Sequence, residues 1–222
     1  MSESHVSPQQ KRNIRFTVLT ILAVIVIFMV LFLNKMLTPR EMGFEELKLN
    51  GVITFPEARI VAPFTLNDQN GDAFDKDQLK NKLNLVFFGF TSCPDICPTT
   101  MADLGRVYNS LPNEVQENLQ IILVSLDPAR DSQSSIKTYV EYFNPEFKGL
   151  TGEFLEIMSL TNNVNVAFNK VFLDDGDYTI DHTSHIAILN GRGDYAGFIR
   201  TPIDAQVMPR VIESTLIKLH SL

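Results

Sequence analysis

The two cysteines of this 222-residue chain, Cys93 and Cys97, lie four positions apart, between an apolar strand-like run and a helix-like run. Pro98 suits the first turn of a helix, where its missing N–H costs little. The backbone amides at a helix N-terminus stabilise thiolates, so we expect a lowered pKa for the thiol of Cys97 in particular. The pattern predicts a reactive pair of thiols on one side of a turn; two buried structural cysteines are the alternative.

Two thiolates at this spacing suit disulfide exchange or the binding of a soft metal ion. Two sulfurs are too few for a closed tetrahedral zinc site, but they suit Cu(I), which prefers soft ligands. A third ligand would have to come from a histidine, and the candidates are His182 and His185. Their spacing of three does not place both on one face of a strand, and periodicity alone leaves the choice between them open.

From residue 60 onward, strand-like and helix-like segments alternate. Near-continuous apolar runs predict buried strands at 83–90 and 119–126, and the Asn-Gly pair at 70–71 predicts a hairpin turn. We also predict helices over residues 98–111, 132–143, 154–168 and 204–219, and strands over 171–173, 185–189 and 195–200. This order is typical of a thioredoxin-like α/β domain, a central mixed sheet flanked by helices.

The N-terminal part contains an apolar segment, residues 16–33, with no charged side chain. As a helix it would span about 27 Å, enough for a bilayer core. No small-x-small cleavage site follows it, so we expect an uncleaved anchor. The predicted organisation is therefore a cytosolic N-terminus (1–15), a transmembrane anchor (16–33), a tether and irregular lead-in (34–58) and the thioredoxin-like domain (59–222).

Basic side chains flank the apolar segment on both sides, with a slight excess before it. Residues 11, 12 and 15 are basic on the N-terminal side, against residues 35 and 40 after it. This excess favours the N-terminus inside and the domain outside the cytoplasm, where thiols can be oxidised. Residues 1–40 hold five of the 19 basic and one of the 26 acidic residues, so the rest carries a net charge near −11. Such a surface disfavours nucleic acid as a partner.

Three separated motifs stand out in the chain: residues 89–100 read G-F-T-x-C-P-D-x-C-P-T-T, residues 125–131 read S-L-D-P-A-R-D, and residues 181–183 read D-H-T. They resemble the motifs of the Sco/SenC copper proteins, in which the second reads S-[IV]-D-P-x-R-D and the third D-H-[ST]. The resemblance covers roughly residues 60–220. Ser92 and Ala187 depart from residues common in the family, and neither departure removes a ligand.

The resemblance implies a membrane-anchored, thioredoxin-like chaperone that assists assembly of the dinuclear copper centre of cytochrome c oxidase. It implies that Cys93, Cys97 and His182 bind copper, as Cu(I) or Cu(II), and that His185 does not. The implied partners are the copper-binding subunit of the oxidase and another copper chaperone or a thiol reductant. The implied location is the inner membrane, facing the periplasm or, in a mitochondrion, the intermembrane space.

Two further questions are left open by the sequence. Cys93 and Cys97 can also act as the redox-active dithiol of a thiol–disulfide oxidoreductase that reduces target cysteines, or as a redox or copper sensor. Asp127 follows a buried strand, so its carboxylate either tunes the thiols or only shapes a turn. For Asp131 we expect a cap of the following helix, a role that Ser132 could also fill.

Overall fold

The computed structural model describes residues 8–37, 42–174 and 176–220. The chain divides into two compact units, Met1–Glu41 and Met42–Leu222. The described part of the first unit is one helix, α1 (Pro8–Leu37). Within it, Lys11–Met36 contains an 18-residue window with a mean hydropathy of 3.1 and is long and apolar enough to cross a membrane, by length and composition. The predicted anchor at 16–33 lies inside this stretch.

The second unit combines strands with helices in the order expected for a thioredoxin-like domain. The strands are β1 (Val52–Arg59), β2 (Thr65–Asp68), β3 (Ala73–Asp75), β4 (Leu83–Gly89), β5 (Leu119–Ser125), β6 (Lys148–Thr151), β7 (Phe168–Phe172), β8 (Tyr178–His182), β9 (Ile186–Leu189) and β10 (Tyr195–Ile199). The helices are α2 (Phe44–Leu49), a 3₁₀ turn (Lys76–Leu79), α3 (Ile96–Ser110), α4 (Asn113–Glu117), α5 (Gln133–Phe143), α6 (Phe154–Asn163) and α7 (Met208–His220).

Eight strands form one mixed sheet in the order β1-β10-β9-β4-β5-β6-β2-β3. At its centre β4 and β5 run parallel, in register from Leu83 opposite Leu119 to Gly89 opposite Ser125. Every residue of these two strands is buried, as expected for strands covered on both faces. The predicted strands at 83–90 and 119–126 are thus confirmed, and the predicted hairpin at 70–71 joins β2 to β3.

Two sequence expectations differ from the structure. The lead-in predicted as irregular over 34–58 contains α2 and β1. Pro56 argued against a strand in the sequence, because proline cannot donate to a neighbouring strand. β1 tolerates it because this strand lies at the edge of the sheet and its register shifts after Thr54. The helix predicted over 154–168 ends at Asn163, because Asn165 adopts a positive φ of 57° and Phe168 already belongs to β7.

β7 and β8 form a separate two-stranded sheet, and β8 was not predicted. They pair antiparallel, with Phe168 opposite His182 and Phe172 opposite Tyr178. In the connecting turn, the N–H of Leu173 donates to the carbonyl of Asp177 at 2.8 Å. Leu173 and Asp177 therefore close a hairpin turn between the two strands. We call this element, residues 168–182, the β7–β8 hairpin.

Candidate metal centre

The cysteine loop, residues 90–95, connects the buried strand β4 to helix α3. The N–H of Cys93 donates to the carbonyl of Phe90 at 3.2 Å, and the side chain of Cys93 is partly exposed. Cys97 lies in the first turn of α3 and is fully buried. Gly89 makes room for it, because a Cβ at that position would lie 2.9 Å from the sulfur of Cys97.

His182, the last residue of β8, brings an imidazole to the two sulfurs. Its Nε2 lies 3.7 Å from Sγ of Cys97, and its Nδ1 lies 3.0 Å from the carbonyl oxygen of Thr183. An Nδ1–H donated to that carbonyl leaves the lone pair of Nε2 directed at the sulfurs, as in histidines that bind metals. The rings of Phe87 and Phe90 meet the imidazole edge-on, with centroids 6.2 and 6.3 Å away.

The structure brings the three predicted residues together. The sulfurs of Cys93 and Cys97 and a ring nitrogen of His182 all lie within 4.8 Å of one another, the single such group of His, Cys, Asp or Glu found among the described residues. His185 is not part of it. The ring of His185 packs on Phe198 at 4.9 Å, and burial lowers its pKa.

The pKa values of the two thiols are shifted in opposite directions. The hydrogen bond from the thiol of Cys97 lowers the pKa of Cys93 to about 4, and His182 contributes in the same direction. Donating that hydrogen bond, together with burial, raises the pKa of Cys97. Our expectation of a lowered pKa for Cys97 is therefore wrong, because its position at the helix N-terminus is outweighed by its bond to Cys93 and by its burial.

Asp131 fastens the cysteine loop instead of capping helix α5. Its carboxylate accepts hydrogen bonds from the N–H of Thr91 at 3.0 Å, the hydroxyl of Thr91 at 2.5 Å and the hydroxyl of Ser125 at 2.6 Å. The cap of α5 is Ser132, whose hydroxyl accepts from the N–H of Ser135 at 3.1 Å. The expectation that Asp131 is a helix cap is thus wrong, and the alternative, Ser132, is correct.

Asp127 holds the β7–β8 hairpin rather than the sulfurs. It is buried, and its carboxylate accepts hydrogen bonds from Arg130 Nε at 2.5 Å and from the hydroxyl of Tyr178 at 2.8 Å. Sequence reasoning missed Tyr178 and Thr91. Thr91 lies inside the cysteine motif, which was a usable signal, whereas Tyr178 shows only the alternation it shares with Ile180 and His182.

The fold and these contacts define a thioredoxin-like domain. Its centre of two sulfurs and one imidazole lies where the central strand β4 leads into α3. The sequence profile of the SCO1/SenC family matches residues 54–216. The chain belongs to the SCO1/SenC family.

Relatives and solved structures agree with this assignment. A putative copper-binding protein of Stutzerimonas stutzeri is 36% identical over 165 residues, which cover 74% of this chain and 81% of the relative. The structure of Bradyrhizobium japonicum ScoI with copper bound is 34% identical, with a TM-score of 0.64, and the match covers 72% of this chain and 99% of that one. The crystal structure of yeast Sco1 with copper bound is 29% identical, also with a TM-score of 0.64, over 74% of this chain and 90% of that one.

Proposed function

We propose that this protein is a membrane-anchored copper chaperone that assists assembly of the copper centre of cytochrome c oxidase. The observation that carries the proposal is the group formed by Cys93, Cys97 and His182, whose ligand atoms lie within 4.8 Å of one another. Thiolate and imidazole are the ligands that copper accepts, and they are too few to close a tetrahedral zinc site. The related structures with copper bound support the same cargo.

The chemistry of the three side chains suits a cargo that must be released again. The low pKa of Cys93 provides a thiolate at neutral pH without a proton having to leave first. Cys97 is buried and must lose its proton when it binds the ion, so metal loading releases a proton. Cys93 and His182 are both partly exposed, so an acceptor thiolate can approach the ion directly. Oxidation of the two cysteines to a disulfide would abolish binding.

We further propose that α1 anchors the protein and that the domain faces the periplasm or, in a mitochondrion, the intermembrane space. The length and hydropathy of Lys11–Met36 support the anchor, and the slight excess of basic residues before it supports the orientation. The copper-binding subunit of the oxidase would be the acceptor. Another copper chaperone or a thiol reductant would load or reduce the site.

Replacement of His182 by alanine, with His185→Ala as the matched control, tests the copper proposal. In the reduced full chain in detergent micelles, we expect wild type to bind one copper ion per chain. His182→Ala should lose this tight binding and keep only a weaker Cu(I) affinity from the two sulfurs. His185→Ala should bind copper as wild type does. If His185→Ala loses copper and His182→Ala keeps it, the wrong imidazole has been assigned.

A second candidate function is thiol–disulfide exchange with the cysteines of the target. The observation in its favour is the unequal pair of thiols, a partly exposed Cys93 of low pKa beside a buried Cys97 of raised pKa, which is typical of an attacking and a resolving thiol. Cells that carry His182→Ala distinguish the two functions. Failed oxidase assembly with intact disulfide exchange supports copper delivery, whereas normal assembly would exclude it and favour the oxidoreductase, or a sensor.

A further inference from the structure

The position of His182 depends on how the β7–β8 hairpin is held against the domain. The hairpin does not belong to the eight-stranded sheet, and all of β7 beyond Phe168 is exposed. Side chains alternate along a strand, so Tyr178, Ile180 and His182 share one face of β8. Ile180 on this face is buried, which places the face against the domain. The contacts of Tyr178 therefore bear on where His182 lies.

Tyr178 is fixed by a buried carboxylate and a guanidinium from the turn after β5. Its hydroxyl donates to Asp127 at 2.8 Å. Arg130 Nη1 donates to the carbonyl of Tyr178 at 2.9 Å, and the guanidinium carbon lies 3.8 Å from the centroid of the Tyr178 ring. Arg130 also bonds to Asp127 itself, so the three side chains form a closed network.

The same turn holds the cysteines in place. Asp131, one residue after Arg130, accepts two hydrogen bonds from Thr91 in the cysteine loop. Residues 127–131 are thus a common base to which both the sulfur-bearing loop and the imidazole-bearing hairpin are bonded. A shift of the hairpin on this base would change the distance between His182 and the sulfurs without altering the cysteine loop.

We propose that Tyr178 is a positioning residue for the metal centre: its hydroxyl, held by Asp127, sets where the β7–β8 hairpin lies and so how close His182 comes to the two sulfurs. The inference rests on the proposed copper site. A hydrogen bond to a charged group corresponds to roughly tenfold to a hundredfold in an equilibrium constant. We expect only part of this, roughly threefold to tenfold, in copper affinity, because the hydroxyl acts on the ion only through the position of His182. Tyr178→Phe keeps the ring on Arg130 and removes only the hydroxyl.

The test is a double-mutant cycle on the reduced full chain in detergent micelles, with Cu(I) affinity measured against a chromophoric chelator. Tyr178→Phe should weaken binding roughly threefold to tenfold in the wild-type background and leave it unchanged in the His182→Ala background. Tyr142→Phe, at an exposed tyrosine of α5, is the matched control and should change nothing. An equal loss in both backgrounds, or no loss in either, overturns the proposal.

A metal-free measurement separates this inference from the proposed function. The imidazole of His182 lies beside the rings of Phe87 and Phe90, so its NMR shifts report its position. Tyr178→Phe should move these shifts in the metal-free protein, and Tyr142→Phe should not; unmoved shifts refute the positioning role even if copper binds. If wild type binds no copper, the proposed function fails while the shifts still decide the role of Tyr178. Arg130→Lys is a second variant expected to act in the same direction. It keeps the positive charge but cannot donate to Asp127 and to the carbonyl of Tyr178 with the geometry of a guanidinium.

Discussion

Alkylation of the metal-free, reduced protein should proceed at Cys93 with a rate that barely depends on pH. An ordinary thiol has a pKa near 8.5, so its thiolate fraction rises roughly 200-fold between about pH 5.5 and about pH 8. The pKa of Cys93 is lowered to about 4, chiefly by the hydrogen bond from Cys97, so its thiol is already ionised across this range. Cys97 is buried and its pKa is raised, so it should not react.

The magnitude follows from two opposing effects. At about pH 5.5 Cys93 has roughly a thousandfold more thiolate than an ordinary thiol, but a thiolate of lower pKa is a weaker nucleophile, by about two powers of ten for this shift. Cys93 should therefore react about tenfold faster than a model thiol at pH 5.5 and more slowly than it at pH 8. The two rate profiles should cross between these values.

The assay is timed iodoacetamide labelling of the full chain in the presence of a chelator, with the modified peptide identified by mass spectrometry. Cys97→Ala removes the main hydrogen-bond donor to Cys93, so the rate in this variant should regain a dependence on pH. A wild-type rate that rises about tenfold per pH unit over this interval would refute the reasoning, as would preferential labelling of Cys97.

Two substitutions outside the proposed ligand set should also perturb the centre. Asp131→Ala removes a buried carboxylate that accepts both donors of Thr91 and should lower the free energy of unfolding by about 3 kcal/mol, measured by urea denaturation; an unchanged value would contradict its role as the anchor of the loop. Gly89→Ala places a Cβ 2.9 Å from the sulfur of Cys97, so it should weaken copper binding and cost about 1–3 kcal/mol of stability. Gly43→Ala places a Cβ with no atom within 4 Å, so it should leave copper binding unchanged and, because Gly43 is the N-cap of α2, cost at most about 1 kcal/mol. Equal copper affinities of the two variants would show that Cys97 adjusts freely.

The core of the fold could be predicted from sequence because its signals are local. The apolar runs that became β4 and β5 are continuous, and each has the length of a buried strand. The cysteine loop and the start of α3 follow directly from β4, so both sulfurs were predicted at the right junction. Edge elements were harder to predict: β1 contains a proline, and β8 is a short strand whose partner is another exposed strand.

The choice between His182 and His185 could not be made from spacing, because the two residues do not belong to one strand. β8 ends at His182 in the small sheet, and β9 begins at Ile186 in the large sheet. The chain changes sheets between them, so the period of two along a single strand does not apply. Likewise, the assignment of the low pKa to Cys93 depends on burial and on which sulfur donates the hydrogen bond, and neither is encoded in a four-residue spacing.

The two sulfurs of the centre come from adjoining parts of the chain, whereas the imidazole comes from a hairpin 85 residues away from Cys97. Cys93 lies in the cysteine loop and Cys97 in the first turn of α3, whereas His182 ends a strand of the β7–β8 hairpin, outside the main sheet. The turn after β5 is what relates them, since the Asp131 carboxylate bonds to the loop and the neighbouring Asp127 carboxylate bonds to the hairpin. A domain built this way can hold its sulfurs fixed while the imidazole shifts with the hairpin. That separation would suit the proposed cargo, an ion that three ligands bind and that is later released.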